Sequence, residues 1–250
     1  MSSIVPLDQF RVLLLDMNST FMFGEDRFGP AENFAATYRA SGGGTLSDDQ
    51  VNRTIRAAFA FLDARYSDPA YEDRFPSLAE ALTAVAPEVT DDERTQLADT
   101  FARHELGVVP PGHAASLRTL SATHELRLLT NIWSPKALWL AELSRAAVLS
   151  LFRHAVFSSD TRSVKPSLHL VQEALDGVGC EPRQVLMVGD SLDRDMRAGR
   201  RAGLTTLWVA PIAEVPPRAA SVVDYHVSSL LALTDHGRVR PPSDRDQDAT

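Results

Sequence analysis

The chain has 250 residues, enough for one large domain or two smaller ones with a sizeable core. Its 44% hydrophobic and 23% charged residues are those of a soluble globular protein, and a net charge of −8 argues against a nucleic-acid or anionic-membrane partner. A single cysteine, Cys180, excludes an internal disulfide, no apolar run reaches the roughly 18 residues of a spanning helix, and the first ten residues have no leader pattern, so a cytoplasmic location is expected.

In chain order, Val12–Leu15 is a short apolar run that stops on Asp16. Such a run reads as a buried strand of a parallel sheet, and its end is where open α/β sheets bind ligands. The polar loop Asn18-Ser19-Thr20 follows, then a glycine-bearing stretch, Phe21–Pro30, that predicts a hairpin-like flap. From Ala31 to Leu106 the pattern is helical. Ser47 with Gln50, Ser77 with Glu80 and Thr90 with Glu93 each match the capping box, ahead of helical periodicity over Val51–Arg65, Leu78–Val85 and Arg94–Glu105.

After the punctuation at Val108–Gly112 the rhythm alternates. Helices are predicted over His113–Ala122, Pro135–Val148, Ser167–Leu175 and Asp193–Ala202. Strands are predicted over Leu126–Leu129, Ala155–Phe157, Val185–Val188, Thr205–Val209 and Val223–Val227, with a last helix near Leu230. This predicts an α/β fold, a doubly wound parallel sheet with a second, smaller α-helical domain. Residues 1–20 and 108–237 form the core, 21–107 the flap and helical insert, and 238–250 a disordered tail rich in Pro, Asp and Arg.

Four strand ends carry the chemistry. The first gives Asp16-Met-Asn-Ser-Thr20, the second Thr130-Asn131, the third Lys165 after a loop, and the fourth Asp190-Ser-Leu-Asp-Arg-Asp195. A carboxylate, a hydroxyl–amide pair, a lysine and an acidic cluster converge on one edge. Such a set suits magnesium-assisted phosphoryl transfer, with nucleophile, phosphate donors, a neutralising cation and metal ligands. Only Lys136 and Lys165 among the 25 basic residues are lysines, so each invites a reason.

In order and spacing these four motifs resemble the haloacid dehalogenase-like (HAD) hydrolase superfamily, over Arg11 to about Val227. The resemblance implies a Rossmann-like core with a helical cap and a magnesium-dependent, phosphatase-like activity on a small phosphorylated metabolite. It implies that Asp16 is the nucleophile and forms an aspartyl-phosphate. Asn18 offers its backbone carbonyl to Mg2+, Thr130 binds a phosphoryl oxygen with Asn131 beside it, and Lys165 holds nucleophile and phosphate together. Asp190 and Asp195 hold the metal with Asp16, and Thr20 is assigned to phosphate or substrate. A small-molecule substrate, no nucleic acid and no membrane are expected as partners; a homodimer is compatible with the sequence.

Other features have plainer readings. Asp193 reads as a first-turn helix residue, Gly189 as a turn, Lys136 as a solvated side chain, and no histidine is assigned to catalysis.

Asn18 departs from the family pattern, which has an aspartate there as general acid and base. An amide neither gives up nor accepts a proton near neutral pH, and such assistance is typically worth about 10²–10⁴-fold. Ser19 likewise replaces the usual glycine. Three readings follow. The first is a hydrolase of a substrate with a good leaving group, or one whose proton comes from Glu25, Asp26 or a cap residue. The second is a dehalogenase-like hydrolase, whose second motif Thr130-Asn131 with Ser134-Pro135 is similar to this one, although Asp190 and Asp195 look like a metal site. The third is a catalytically attenuated phosphate-binding protein. A cap-lysine mechanism is nearly closed off, because no lysine lies between Phe21 and His113. By position, Phe21, Phe23, Arg27 and Trp133 are specificity candidates; Arg27 reads more simply as a solvated flap charge and the aromatic rings as packing between cap and core.

Overall fold

β1 (Val12–Leu15) lies at the centre of a six-stranded, all-parallel sheet. The other strands are β2 (Glu125–Thr130), β3 (Phe152–Phe157), β4 (Val185–Gly189), β5 (Thr205–Val209) and β6 (Tyr225–Val227), in the order β3-β2-β1-β4-β5-β6. The computed structural model describes residues 5–212 and 215–234; the tail expected at 238–250 lies outside the described residues.

The continuous apolar run of β1 follows from burial on both faces. Leu13 and Leu15 pack with Leu117, Leu120 and Trp139, while Val12 and Leu14 pack with Leu170, Val171 and Met187. Leu15 is in register with Leu128 of β2 and Val188 of β4, so the three strands end nearly level. Strand order reverses at β1, which is where such sheets open a ligand crevice.

Between β1 and β2 run α1 (Phe34–Ala40), α2 (Asp48–Tyr66), α3 (Leu78–Val85) and α4 (Asp91–Glu105). They share a separate apolar cluster that includes Phe34, Tyr38, Ile55, Leu62, Leu82 and Phe101. All three expected capping boxes form. The expected hairpin does not. Phe23 instead exchanges backbone hydrogen bonds with Val108, at 3.0 and 2.8 Å, so the two connections between helical layer and sheet pair with each other.

α5 (Pro111–Ser121), α6 (Ala137–Arg145), α7 (Leu168–Ala174) and α8 (Arg197–Arg201) flank the sheet. α8 is preceded by a wide π-helical turn, Leu192–Met196, capped by Ser191. The segment linking α2 to α3 runs along the loop after β3. Val164 N–H donates to Glu72 O at 2.8 Å, Phe75 N–H to Arg162 O at 2.6 Å, and Arg201 pairs with Glu72 at 2.7 Å. Among the described residues no helix is long and apolar enough to cross a membrane.

Candidate active site

Asp16 continues β1, its N–H donating to Val188 O at 2.8 Å, and only 5% of its surface is exposed. Lys165 arrives from the loop after β3. Its Nζ lies 2.5 Å from Asp16 Oδ1 and 2.7 Å from Asp195 Oδ1, and donates to Leu129 O at 3.0 Å. Three oxygens thus surround one ammonium. The Thr20 hydroxyl donates to the other oxygen, Asp16 Oδ2, at 3.3 Å. Asp195 Oδ2 accepts the Ser191 N–H at 2.9 Å, and the Trp208 indole donates to the Asp190 carbonyl at 2.6 Å. Loops remote in sequence therefore meet because β1 separates β2 from β4.

Carboxyl oxygens of Asp16, Asp190 and Asp195 all lie within 4.8 Å of one another, with a single lysine among them. The charge imbalance appears in the acidities. Burial pushes Asp16 up to about 6 against the pull of Lys165, with Asp195 adding repulsion. Asp190 is pushed up to about 8, first by burial and then by repulsion from Asp195 and Asp16. For Lys165 burial opposes the charge, but Asp16 and Asp195 outweigh it and raise the group above the ordinary lysine range. A converging, all-oxygen, net-negative set fits a hard divalent cation of the magnesium type.

Two further polar atoms point to a ligand. Asn18 Oδ1 and Thr130 Oγ1 are buried without a hydrogen-bond partner among the described residues. Buried polar groups in native proteins are nearly always paired, and these two, at the ends of β1 and β2, are free to meet a group bound beside Asp16. Ser19 keeps the turn that glycine would make, at φ 55°, and its hydroxyl donates to Glu25 Oε1 at 2.7 Å. That places Glu25 in a contact that holds the flap, while Asp26 lies at the surface, its carboxyl pushed up to about 6 by desolvation and by repulsion from Glu25.

Gly189 has a different reason from the expected turn. It lies within β4, and a Cβ there would come 2.4 Å from Asp195 Cγ, so the missing side chain is what lets Asp195 approach. Asp193 is exposed and pairs with Arg197 at 2.8 Å, apart from the carboxylate cluster. The Lys136 side chain is solvated as expected, in a surface ion pair with Asp160 at 2.5 Å. Arg27 makes no ion pair among the described residues. It donates to the carbonyls of Gly24, Leu106 and Arg103, closing the C-terminal end of α4. Phe21 is core, stacked on Phe152, and Phe23 packs on His113; of the aromatic candidates, Trp133 alone adjoins Tyr66. Cys180 is partly buried, and burial pushes its thiol up, away from nucleophilic behaviour.

Three residues of this region, Tyr66, Arg194 and Glu105, escaped the sequence reading. The Asn131 side chain is a bridge, with Oδ1 accepting the Lys165 N–H at 3.0 Å and Nδ2 donating to the Tyr66 hydroxyl at 2.8 Å. Arg194 lies 3.8 Å over the Tyr66 ring, donates to Lys165 O at 3.0 Å and also to Tyr66 O. Buried Glu105, the last residue of α4, accepts from Trp133 N at 2.6 Å, Ser134 N at 2.9 Å and Ser134 Oγ at 2.6 Å. Burial pushes it up to about 7, those hydrogen bonds opposing. Only Glu105 had a sequence signal, because an acid in the last turn runs against the helix dipole. Tyr66 and Arg194 had none.

Residues 91–209 match a family model described as haloacid dehalogenase-like hydrolase. Human N-acylneuraminate-9-phosphatase is 32% identical over 120 residues, 48% of each chain, so the match spans about half of that relative. Pyrimidine 5'-nucleotidase YjjG of Escherichia coli is 31% identical over 163 residues, 64% of this chain and 68% of that one. Among solved structures, 2-haloacid dehalogenase from Pseudomonas syringae pv. Tomato superposes with TM-score 0.60 at 21% identity, over 90% of this chain and 96% of that one. A HAD phosphatase from Thermococcus onnurineus gives 0.59 at 19%, with the same coverage. At these identities the structural likeness is one of fold.

Proposed function

The chain belongs to the haloacid dehalogenase-like hydrolases, and we propose that it is a magnesium-dependent hydrolase of phosphatase type acting on a small phosphorylated metabolite. The observation that carries this reading is the cluster of Asp16, Asp190 and Asp195 around one lysine. Two buried carboxylates and a half-buried third, facing one lysine, favour a metal-dependent reaction over metal-free dehalogenation. Relatives named as phosphatases and a nucleotidase support the same reaction class.

Asp16 acts as nucleophile toward phosphorus, forming the aspartyl-phosphate. Lys165 holds Asp16 Oδ1 and Thr20 holds Oδ2, which fixes the plane of the attacking carboxylate. Thr130, with its unpartnered hydroxyl, donates to a phosphoryl oxygen. Asp16, Asp190, Asp195 and the Asn18 backbone carbonyl would hold the magnesium ion, which supplies charge neutralisation for the transferring phosphoryl group. The helical layer acts as a cap, its Tyr66 reaching Asn131 and its Glu105 the loop after β2. We place the enzyme in the cytoplasm, with a small-molecule substrate.

The test is hydrolysis of acetyl phosphate and p-nitrophenyl phosphate with and without magnesium. Activity that needs magnesium and disappears in Asp16→Asn is expected. Binding of magnesium and phosphate without turnover on a broad substrate panel would sink the hydrolase reading and leave a phosphate-binding protein.

A further inference from the structure

An alkyl phosphate needs a proton on its leaving oxygen, and Asn18 cannot give one. Among the hydroxyls near Asp16, Thr20 is already spent on Asp16 Oδ2, and aliphatic hydroxyls are poor acids in any case. Lys165 is engaged by Asp16, Asp195 and Leu129 O. A phenol is left, that of Tyr66.

Its hydrogen-bonding sense is determined by the backbone. Lys165 N–H is a donor, so the Asn131 atom facing it must be the amide oxygen, at 3.0 Å. The amide nitrogen therefore faces Tyr66 at 2.8 Å, and the phenol oxygen accepts. The phenol's own hydrogen finds no acceptor among the described residues, in a group that is half-buried. Arg194 holds the ring from the other side, 3.8 Å from its centre, and ties the Tyr66 backbone to that of Lys165. The phenol is close enough to Lys165 and Asp195 to feel both charges; burial dominates and raises its pKa, so it stays protonated at neutral pH.

Resting on the phosphatase-type reading, we infer that Tyr66 hydrogen-bonds the leaving-group oxygen and protonates it as the ester is cleaved. An Asp16 carboxylate oxygen forms a bond to phosphorus while the bond from phosphorus to the leaving oxygen breaks. The Tyr66 proton passes to that oxygen, releasing an alcohol and leaving a phenolate beside the Arg194 guanidinium. The phenolate then takes a proton from the water that attacks the aspartyl-phosphate. Phosphate leaves, the Asp16 carboxylate is restored, and ester plus water has become alcohol plus phosphate.

Tyr66→Phe keeps the ring under Arg194 and removes only the proton. Rates are compared on an alkyl phosphate, such as glycerol phosphate, and on p-nitrophenyl phosphate, whose leaving group needs no proton. A loss of about 10²-fold or more on the alkyl ester, with little change on the nitrophenyl ester, is expected. Equal loss on both esters, or none on either, overturns the inference while leaving the phosphatase reading intact. A wild-type protein inactive on both esters and on acetyl phosphate fails both. Should Tyr66→Phe fold poorly, 3-fluorotyrosine at position 66 replaces it. Its lower phenol pKa must move the alkaline limb of the alkyl-ester profile downward, and an unmoved limb overturns the inference.

Discussion

Replacing Asp190 with asparagine is expected to flatten the pH dependence of stability in the magnesium-free protein. Unfolded, Asp190 titrates near 3.8; folded, burial and its two acidic neighbours push it up to about 8. At pH 6 the folded state therefore holds close to one proton more than the unfolded state, falling to about half a proton at pH 8. Stability falls as pH rises wherever the folded state binds the extra proton, by ~1.4 kcal/mol per pH unit for a full proton. As the folded group approaches its own pKa the slope halves, so the Asp190 share over this window is about 2 kcal/mol. For a chain of this length that corresponds to a Tm change of about 4–8 °C. Glu105 also titrates upward but is common to both proteins, whereas Asp16 repels Asp190 directly, so the difference between wild type and Asp190→Asn reports the titration of that carboxylate pair. The assay is thermal unfolding in EDTA at the two pH values, repeated with saturating magnesium. Wild type should lose more stability than the variant on going to pH 8, and should gain more from magnesium at pH 8 than at pH 6. Parallel pH curves, or a magnesium gain independent of pH, would refute this account of the cluster.

Lys165→Ala leaves buried carboxylates uncompensated and should cost about 3–5 kcal/mol in a magnesium-free urea titration at pH 7, less at pH 5. An unchanged midpoint would count against the ion-pair geometry. Gly189→Ala puts a methyl 2.4 Å from Asp195 Cγ; a loss of about 1–3 kcal/mol and weakened magnesium binding by calorimetry are expected. Glu105→Gln sets an amide N–H against the donors of Trp133 and Ser134, and should lower stability by about 1–3 kcal/mol in chemical denaturation. Asn18→Asp should raise the rate on alkyl phosphates; no rise would mean that the site does not lack this group.

Much of the architecture was legible because it rests on local rules. A four-residue apolar run ending in Asp16 reads as a strand buried on both faces, and Val12–Leu15 is that strand. The capping boxes at Ser47, Ser77 and Thr90 are closed by contacts three residues apart, which need no tertiary information. The flap was misread for the opposite reason. Phe23 found its partner at Val108, a pairing with no local signature.

The sequence by itself determined the parallel sheet, the helical layer inserted after the first strand, and the set of chemical groups at four strand ends. Those follow from hydrophobic period and from where each run stops. Only the tertiary structure decided that one ammonium serves two carboxylates, that Gly189 is small for the sake of Asp195, and that Tyr66 lies between Arg194 and Asn131. Such contacts join residues far apart in the chain, 65 positions for Tyr66 with Asn131 and 149 for Asp16 with Lys165, or depend on how closely two backbones approach. Periodicity carries no information about either.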